Sequence, residues 1–451
     1  MRSFIRTRRM CEWEDFGHRK AFVRARLAEF EGKLLPPFLL LAEPGVSAAE
    51  HRVCSEIWMR ERLATAAIER QQLDFRFAAL DRLRPKIRLG YLSNDFQDHA
   101  TALLLIETLE AHDRARFELH AYSYGKDDGK KMRGRLRRAF DRFTDISPLS
   151  DVEAAQAIFR DGVDILIDLK GFTEGTRTSI LALRPAPIQV NYLGYPGTLG
   201  PGLCDYIITD AFCTPPESAG DYAESFAYLP HTYQPHGRRG AVALAPSRAA
   251  AGLPENGFVF CCFNQAFKFT PAVFDVWCRL LHDVPGSILW LLASREAEGN
   301  LRNEARERGV DGARLIFAPD LAQASHLSRL QLADLVLDTA PYGAHTTASD
   351  ALWVGAPLVT RPGTTFPSRV AGSLLHAVGL PELIVDTDDD YFNLAFALAT
   401  DKERLSTLRL ALADKRASAP LFDVEAYTLA LETLYGTMWD RYRAGSPPSA
   451  I

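Results

Sequence analysis

The rhythm of apolar and polar positions changes at Pro85. Ahead of it, residues 13–34 and 48–80 carry apolar side chains at helical spacing among charged ones, with Pro36, Pro37 and Pro44 between them. That pattern predicts an N-terminal helical segment over 1–85. Past Pro85, short apolar runs alternate with amphipathic stretches. Residues 87–93, 117–124, 163–169, 188–194 and 206–209 read as strands, with helices at 101–112 and 152–161 between them. Residues 235–256, rich in Ala, Gly, Pro and Arg, read as a hinge-like loop. A second series follows, with strands at 258–263, 288–293, 315–317, 334–338 and 357–360 and helices at 271–282, 297–308, 324–331 and 346–353. Residues 424–443 read as a last helix.

Apolar strands separated by helices predict parallel sheets covered on both faces. The expected architecture is α/β. Two Rossmann-like domains, over 86–240 and 255–420, face each other across a cleft, after the N-terminal helical segment and before a C-terminal helix at 421–451. Ligands in such sheets sit beyond the carboxyl ends of the strands, so chemistry is sought in the loops that follow them.

Composition adds bounds. A chain of 451 residues has room for two to three domains of roughly 150 residues. Hydrophobic residues at 47% and charged residues at 24% exclude wholesale disorder. A formal net charge of −5 argues against nucleic acid as the main partner. The cysteines (Cys11, Cys54, Cys204, Cys213, Cys261, Cys262 and Cys278) form no CxxC pair. Neither a zinc site nor a disulfide framework is expected, and the thiols read as reduced and mostly buried in a cytoplasmic protein. The basic start MRSFIRTRRM has no apolar stretch after it, so no signal peptide is expected. Residues 34–42 are apolar but broken by proline and too short to span a bilayer, so no membrane partner is expected. No repeat of about 34 residues is visible, so no tetratricopeptide array is expected.

Four loops carry candidate chemistry. In LDTAPYGAHTTASDALW (337–353), a strand ends at Asp338 and a glycine-containing loop leads to Thr346 and Thr347 at a helix start. Unpaired N–H groups and the positive dipole end suit a pyrophosphate there, and Asp350, one turn on, suits ribose hydroxyls. An ordinary N-cap with a dipole-facing aspartate explains the same residues. In FNQAFKFTP (263–271), Gln265 and Lys268 share a helix face, where a lysine can neutralise a leaving diphosphate; a solvated helix start is the alternative. LGYPGT (193–198) is a tight turn whose backbone can approach a ligand closely. In SNDFQDHAT (93–101), His99 can relay a proton or bond a substrate hydroxyl, while Asp95 and Asp98 read as helix caps. The run KKMRGRLRR (130–138) reads as a solvated helix face, and Asp386, Asp388 and Asp390, though spelling DxD, as capping residues rather than metal ligands.

Taken in order, these motifs resemble the catalytic region of the O-GlcNAc transferases, the family 41 glycosyltransferases. The resemblance spans roughly 85–440 and includes YLSNDFQDHAT, DGVDILIDLKGFTEGTR, LALRPAPIQVNYLGYPGTLGPGLCDYIITD, FNQAFK, QLADLVLDT and GAHTTASDALWVGAPLVT. Residues 11–60 resemble the helical segment that precedes that region. The resemblance implies a GT-B fold, a UDP-GlcNAc donor, inversion at the anomeric carbon, transfer to protein Ser/Thr hydroxyls and no metal or other cofactor. It implies that Gln265, Lys268, His345, Thr346 and Thr347 contact the diphosphate and that Asp350 holds the ribose. His326 would stack on uracil with Arg329 nearby. Leu193, Gly194 and Pro196 would line the sugar pocket with Thr173 close to it, and His99 would sit beside the reacting sugar. His99 and Lys268 are the expected catalytic residues.

Three departures from the animal members stand out. The repeat array that guides protein substrates is not visible, which leaves room for a separate substrate-recognition protein. Only about twenty residues stand between the two domains where those enzymes carry a long insert. Gln323 replaces a lysine near the ribose and Tyr342 a cysteine near the sugar. The competing readings are a GDP-fucose-dependent protein O-fucosyltransferase, a glycosyltransferase with a non-protein acceptor, and an inactive nucleotide-binding partner subunit. The resemblance implies that His345 and Gln265, where the fucosyltransferase relatives carry threonine and asparagine, favour UDP-GlcNAc over GDP-fucose.

Overall fold

The computed structural model describes residues 2–29, 36–77, 84–237, 240 and 242–451. The predicted helix ends at Leu34 and Leu80, and positions 238, 239 and 241 of the hinge-like loop, lie outside the described residues. The chain forms two compact units. One draws on Arg26–Leu40, Val46–Arg238 and Asp423–Ile451, the other on Met1–Ala25, Leu41–Gly45 and Arg239–Phe422.

The first unit is built on a parallel sheet of β1 (Ile87–Ser93), β2 (Phe117–Ser123), β3 (Arg142–Asp145), β4 (Ile165–Asp168), β5 (Ile188–Asn191), β6 (Tyr206–Asp210) and β7 (Ser225–Leu229). Their order is β3-β2-β1-β4-β5-β6-β7. The second unit carries β8 (Val259–Cys262), β9 (Ile288–Leu292), β10 (Leu315–Ala318), β11 (Leu335–Leu337) and β12 (Leu358–Val359), in the order β10-β9-β8-β11-β12. In both sheets the order of strand addition reverses beside the first strand, between β1 and β4 and between β8 and β11. Such a switch point opens a crevice at the carboxyl ends of the two strands.

Helices on both faces bury the central strands, which explains their continuous apolar runs: every residue of β4, β5, β6 and β8 is buried. The buried amides among them donate to backbone carbonyls. Gln189 donates to Leu181 O at 2.9 Å and Asn191 to Gly197 O at 2.8 Å. Two strands lacked a sequence signal. β3 (RFTD) is a polar edge strand, and β7 (SFAYL) follows a short 3-10 turn instead of a helical pattern. The helix Phe366–Val378 was also missed. It is buried nearly all round, so no amphipathic stripe marks it.

The stretch 1–85 divides between the units. Cys11 Sγ reaches Ala266 O at 3.6 Å and Met10 O accepts from Asn300 at 2.8 Å, both in the second unit. The helix Ala48–Leu73, opened by a Ser47/Glu50 capping box, belongs to the first. Its Ser55 hydroxyl donates to Thr198 O at 2.9 Å. The last helix, Val424–Arg443, also belongs to the first unit, packing on β5 and β7. Glu432 accepts from His112 Nδ1 at 2.9 Å and Asp113 N at 2.7 Å, and the Tyr192 and Tyr427 hydroxyls meet at 2.5 Å. The chain then returns to the sheet edge, where Ile451 bonds Phe226 O and Tyr228 N of β7.

The basic run lies on the helix Lys131–Ala139 and is tied down within its unit. Arg133 is buried and donates to Phe96 O, Arg135 pairs with Glu110 and Arg137 with Asp127. Asp388 and Asp390 open the helix Asp388–Thr400, capped by Thr387, and Asp388 pairs with Arg361 at 2.6 Å. The described residues contain no group of three or more His, Cys, Asp or Glu placed to hold a metal. No described helix is long and apolar enough to cross a membrane.

Candidate active site

The crevice of the second unit is organised by one buried carboxylate. Asp338 sits just past β11, where the chain must turn back over the sheet. Its Oδ1 accepts from the backbone N–H of Thr339 at 2.7 Å and of Ala344 at 2.6 Å, and its Oδ2 accepts from Thr360 at 2.6 Å. Those bonds close the loop 339–344 into one shape. Burial pushes the Asp338 pKa up, against these donors and the nearby Lys268 charge. Beside it, Asn264 at the end of β8 donates to Thr339 Oγ1 at 2.8 Å and accepts from the Thr347 hydroxyl. Asn264 thus joins the two strand ends across the switch point.

Lys268 ends the 3-10 turn Ala266–Lys268. Its ammonium donates to Gly343 O at 2.7 Å and lies 4.0 Å from the centroid of the Tyr342 ring. Burial lowers its pKa from 10.5 to about 8, with Asp338 and Cys262 opposing that shift. Next to it begins the helix Thr346–Val354, whose start no side chain caps. Such a start presents N–H donors and a positive dipole end to whatever lies beyond. Thr346 and Thr347, half-buried, flank it, and Asp350 is buried one turn in. Lysine, helix start and the Thr346 hydroxyl together can cradle a diphosphate and neutralise charge that builds on it, while the Thr347 hydroxyl is turned to Asn264.

His345 precedes the helix, but its ring is engaged elsewhere. Nε2 lies 3.1 Å from Pro367 O, which fixes it as the donor, and burial, with Lys268 adding to it, depresses the pKa to about 3. The ring is therefore neutral near pH 7, and cationic charge at this site comes from Lys268. Gln265 is exposed at the opening of the 3-10 turn, and its carbonyl accepts from Lys268 N.

A pocket beside Asn264 is lined by Phe263, His326, Leu330, Ala344 and Thr347 with the ends of β8 and β11. Its rim is His326, half-buried and tilted 5.4 Å from Phe263. Arg329 is buried beneath. It donates to Pro319 O at 2.5 Å and to His326 Nδ1 at 3.1 Å, and lies 4.8 Å from the Phe263 ring centroid. Arg329 thus orients His326, a role its bare sequence position did not reveal.

The first unit's crevice holds a different arrangement. Lys170 and Asp95, both buried, pair at 3.0 Å. Asp95 is no helix cap. The helix Ala100–Ala111 is capped by His99, whose Nδ1 accepts from Thr101 N at 3.2 Å. Asp98 instead pairs with Lys130 at 2.8 Å. Burial lowers the His99 pKa, partly offset by Asp95 at 3.6 Å, so the ring is neutral at pH 7. With Nδ1 accepting, its proton sits on Nε2, which makes exposed His99 a donor. Asp168, at the end of β4, accepts from Gly171 N at 2.6 Å, and burial raises its pKa to about 6.

Around this core the predicted sugar-pocket residues do gather. Leu193 holds φ +67°, a left-handed conformation that a branched side chain adopts only under constraint. Gly194 approaches the strand end so closely that a Cβ would fall 1.9 Å from Leu169 O. Pro196 is buried behind it, and the turn is braced by Thr198 donating to buried Glu224 at 2.6 Å. Thr173 is half-buried, with its hydroxyl turned back to Lys170 O at 2.9 Å. Sequence reasoning missed Lys170, Asp168 and Asn264. The first two had a visible sign, charged residues closing an otherwise apolar strand.

A family model described as "Glycosyl transferase family 41" matches residues 61–239 and 236–431. The chain belongs to glycosyl transferase family 41. A family 41 relative from Arabidopsis thaliana, named a probable UDP-N-acetylglucosamine–peptide N-acetylglucosaminyltransferase (SEC), is 38% identical over 371 residues, covering 80% of this chain and 38% of its own. A Caenorhabditis elegans UDP-N-acetylglucosamine–peptide N-acetylglucosaminyltransferase is 33% identical over 476 residues, covering 80% of this chain and 41% of its own. The chain thus spans about two-fifths of the length of these curated relatives. Among solved structures, a Thermobaculum terrenum O-GlcNAc transferase superposes with a TM-score of 0.81 at 31% identity, over 90% of this chain and 77% of that one. Anabaena HepE, solved with UDP and glucose, superposes at 0.51 with 14% identity over 78% of this chain and 100% of its own, a likeness of fold alone. These matches establish the resemblance read from the ordered motifs, and with it a GT-B-type α/β fold of two parallel-sheet units.

Proposed function

We propose that this family 41 chain is an inverting glycosyltransferase that moves N-acetylglucosamine from UDP-GlcNAc to Ser/Thr hydroxyls of proteins. The observation that carries the reading is Lys268 standing beside the uncapped start of the helix Thr346–Val354. The relatives' names support the donor and the peptide acceptor. In this reading the acceptor oxygen forms a bond to the anomeric carbon, the bond to the diphosphate breaks, UDP leaves with the electron pair, and the hydroxyl proton passes to solvent water. The barrier is dominated by charge building on the diphosphate, and preorganised donors lower it by several kcal/mol. Lys268, the Thr346 hydroxyl and the N–H groups of the helix start, that of Thr347 included, lower the barrier in this way, with Gln265 and His345 at the rim. His326 stacks on the uracil, steadied by Arg329, and Asp350 takes the ribose. His99 donates through Nε2 to the sugar rather than serving as the base, beside Leu193, Gly194, Pro196 and Thr173.

No metal is needed in this scheme, because the lysine and the helix dipole supply the positive charge. The acceptor is a protein, presented with or without a separate recognition protein, in the cytoplasm. A donor panel with lysate protein as acceptor, run with and without EDTA and read by mass spectrometry, tests the proposal. HexNAc on Ser or Thr, unchanged by EDTA, is expected. Deoxyhexose from GDP-fucose, or UDP release with no modified protein, would replace it with one of the competing readings.

A further inference from the structure

The second unit's loop Ala340–Pro341–Tyr342–Gly343 offers Lys268 two contacts from adjacent residues. Gly343 O accepts its proton at 2.7 Å, and the Tyr342 ring receives its ammonium at 4.0 Å from the centroid. Tyr342 is itself buried, with Phe267 edge-on at 6.0 Å and the His345 ring at 5.0 Å. The charged and titratable groups facing Lys268 are Asp338 beyond β11, Cys262 on β8 and His345 at the helix start. Asp338 already accepts from Thr339, Ala344 and Thr360, and no ion pair holds Lys268 among the described residues. A half-buried ammonium with one carbonyl acceptor gains from further electrostatic support, and the negative face of an aromatic ring supplies it without a counter-charge.

We propose that Tyr342 is a positioning residue for Lys268: its ring face holds the ammonium charged and aimed for the diphosphate. This rests on the donor-site reading above. An aspartate or glutamate in the same place would stabilise the cation as well, but would also repel the incoming phosphates. An aromatic face stabilises the cation and adds no net charge. Tyr342 thereby sets how far into the alkaline range the site keeps its positive charge.

The test compares Tyr342→Phe and Tyr342→Leu in the whole chain. UDP affinity is measured by calorimetry from pH 6 to 10, and the Lys268 titration by NMR on lysine labelled with 13C, assigned by its loss in Lys268→Ala. Phe keeps the ring face and is expected to match the parent within about twofold. Leu keeps the apolar bulk but loses the face. Its alkaline limit for UDP binding, and the Lys268 titration, should move down by about one pH unit, a tenfold change. A uniform loss of affinity with both titrations unmoved would reduce Tyr342 to packing and overturn the proposal. If the parent binds no UDP, the donor-site reading fails, while the titration of Lys268 in the free protein still decides the role of Tyr342.

Discussion

The two crevices are built alike and charged differently. Each lies where the order of strand addition in a parallel sheet reverses beside its first strand, and each holds a lysine a few residues beyond a strand end. In the first unit Lys170 is buried against Asp95 at 3.0 Å, and its charge is cancelled within the fold. In the second, Lys268 rests on a carbonyl and a ring beside an uncapped helix start. The same topology thus yields one lysine that is part of the structure and one whose positive charge is left for a ligand. What separates them is the partner, and the partner is invisible from the lysine's own neighbourhood in sequence.

The sharpest way to break this comparison is to remove each lysine. Lys170→Ala strands Asp95 in a buried site and should cost about 3–5 kcal/mol in chemical unfolding. Replacing both partners by apolar residues should restore most of that. A Lys170→Ala chain as stable as the parent would erase the distinction. Lys268→Ala should leave the unfolding midpoint near the parent's and lower turnover by about 10²–10³-fold, measured as UDP release. A folded, fully active variant would remove Lys268 from the catalytic scheme.

The smallest effect is in the pH dependence, and its sign is specific. The Lys268 pKa is lowered to about 8 in the folded chain, below its ordinary value of 10.5. Between those values the unfolded chain binds more protons, so this residue makes folding more favourable as pH rises. Donor binding needs the charged form, so UDP affinity should fall over the same window. Opposite trends in thermal stability and in UDP affinity above pH 8, both flattened in Lys268→Ala, sharpen the contrast. His345, at about 3, contributes nothing to that window.

Much of the fold was legible because a strand covered on both faces has to be apolar. β1 and the helix Val424–Arg443 coincide with their predicted limits. β3 was not legible, since an edge strand of Arg, Phe, Thr and Asp has no such requirement. In the site, Lys268 and Thr346–Thr347 were visible as local chemistry at a strand end and a helix start. Asp95 was read as a cap because its ion-pair partner, Lys170, is remote in sequence and only the sheet brings them together. Arg329 does lie beside His326, and its hydrogen bonds to Pro319 O and His326 add a bracing role that the sequence does not show.

The helix Val424–Arg443 packs on the first sheet although residues 239–422, of the second unit, lie between the two in sequence. During synthesis, β1 to β7 emerge early and then wait, with the surface destined for that helix bare, while residues 239–422 of the second unit are translated. The first unit is therefore an obligate late finisher. A ribosome-stalled chain ending at Phe422 should expose an apolar face that the finished protein hides, and a chaperone that shields nascent chains would have its natural grip there.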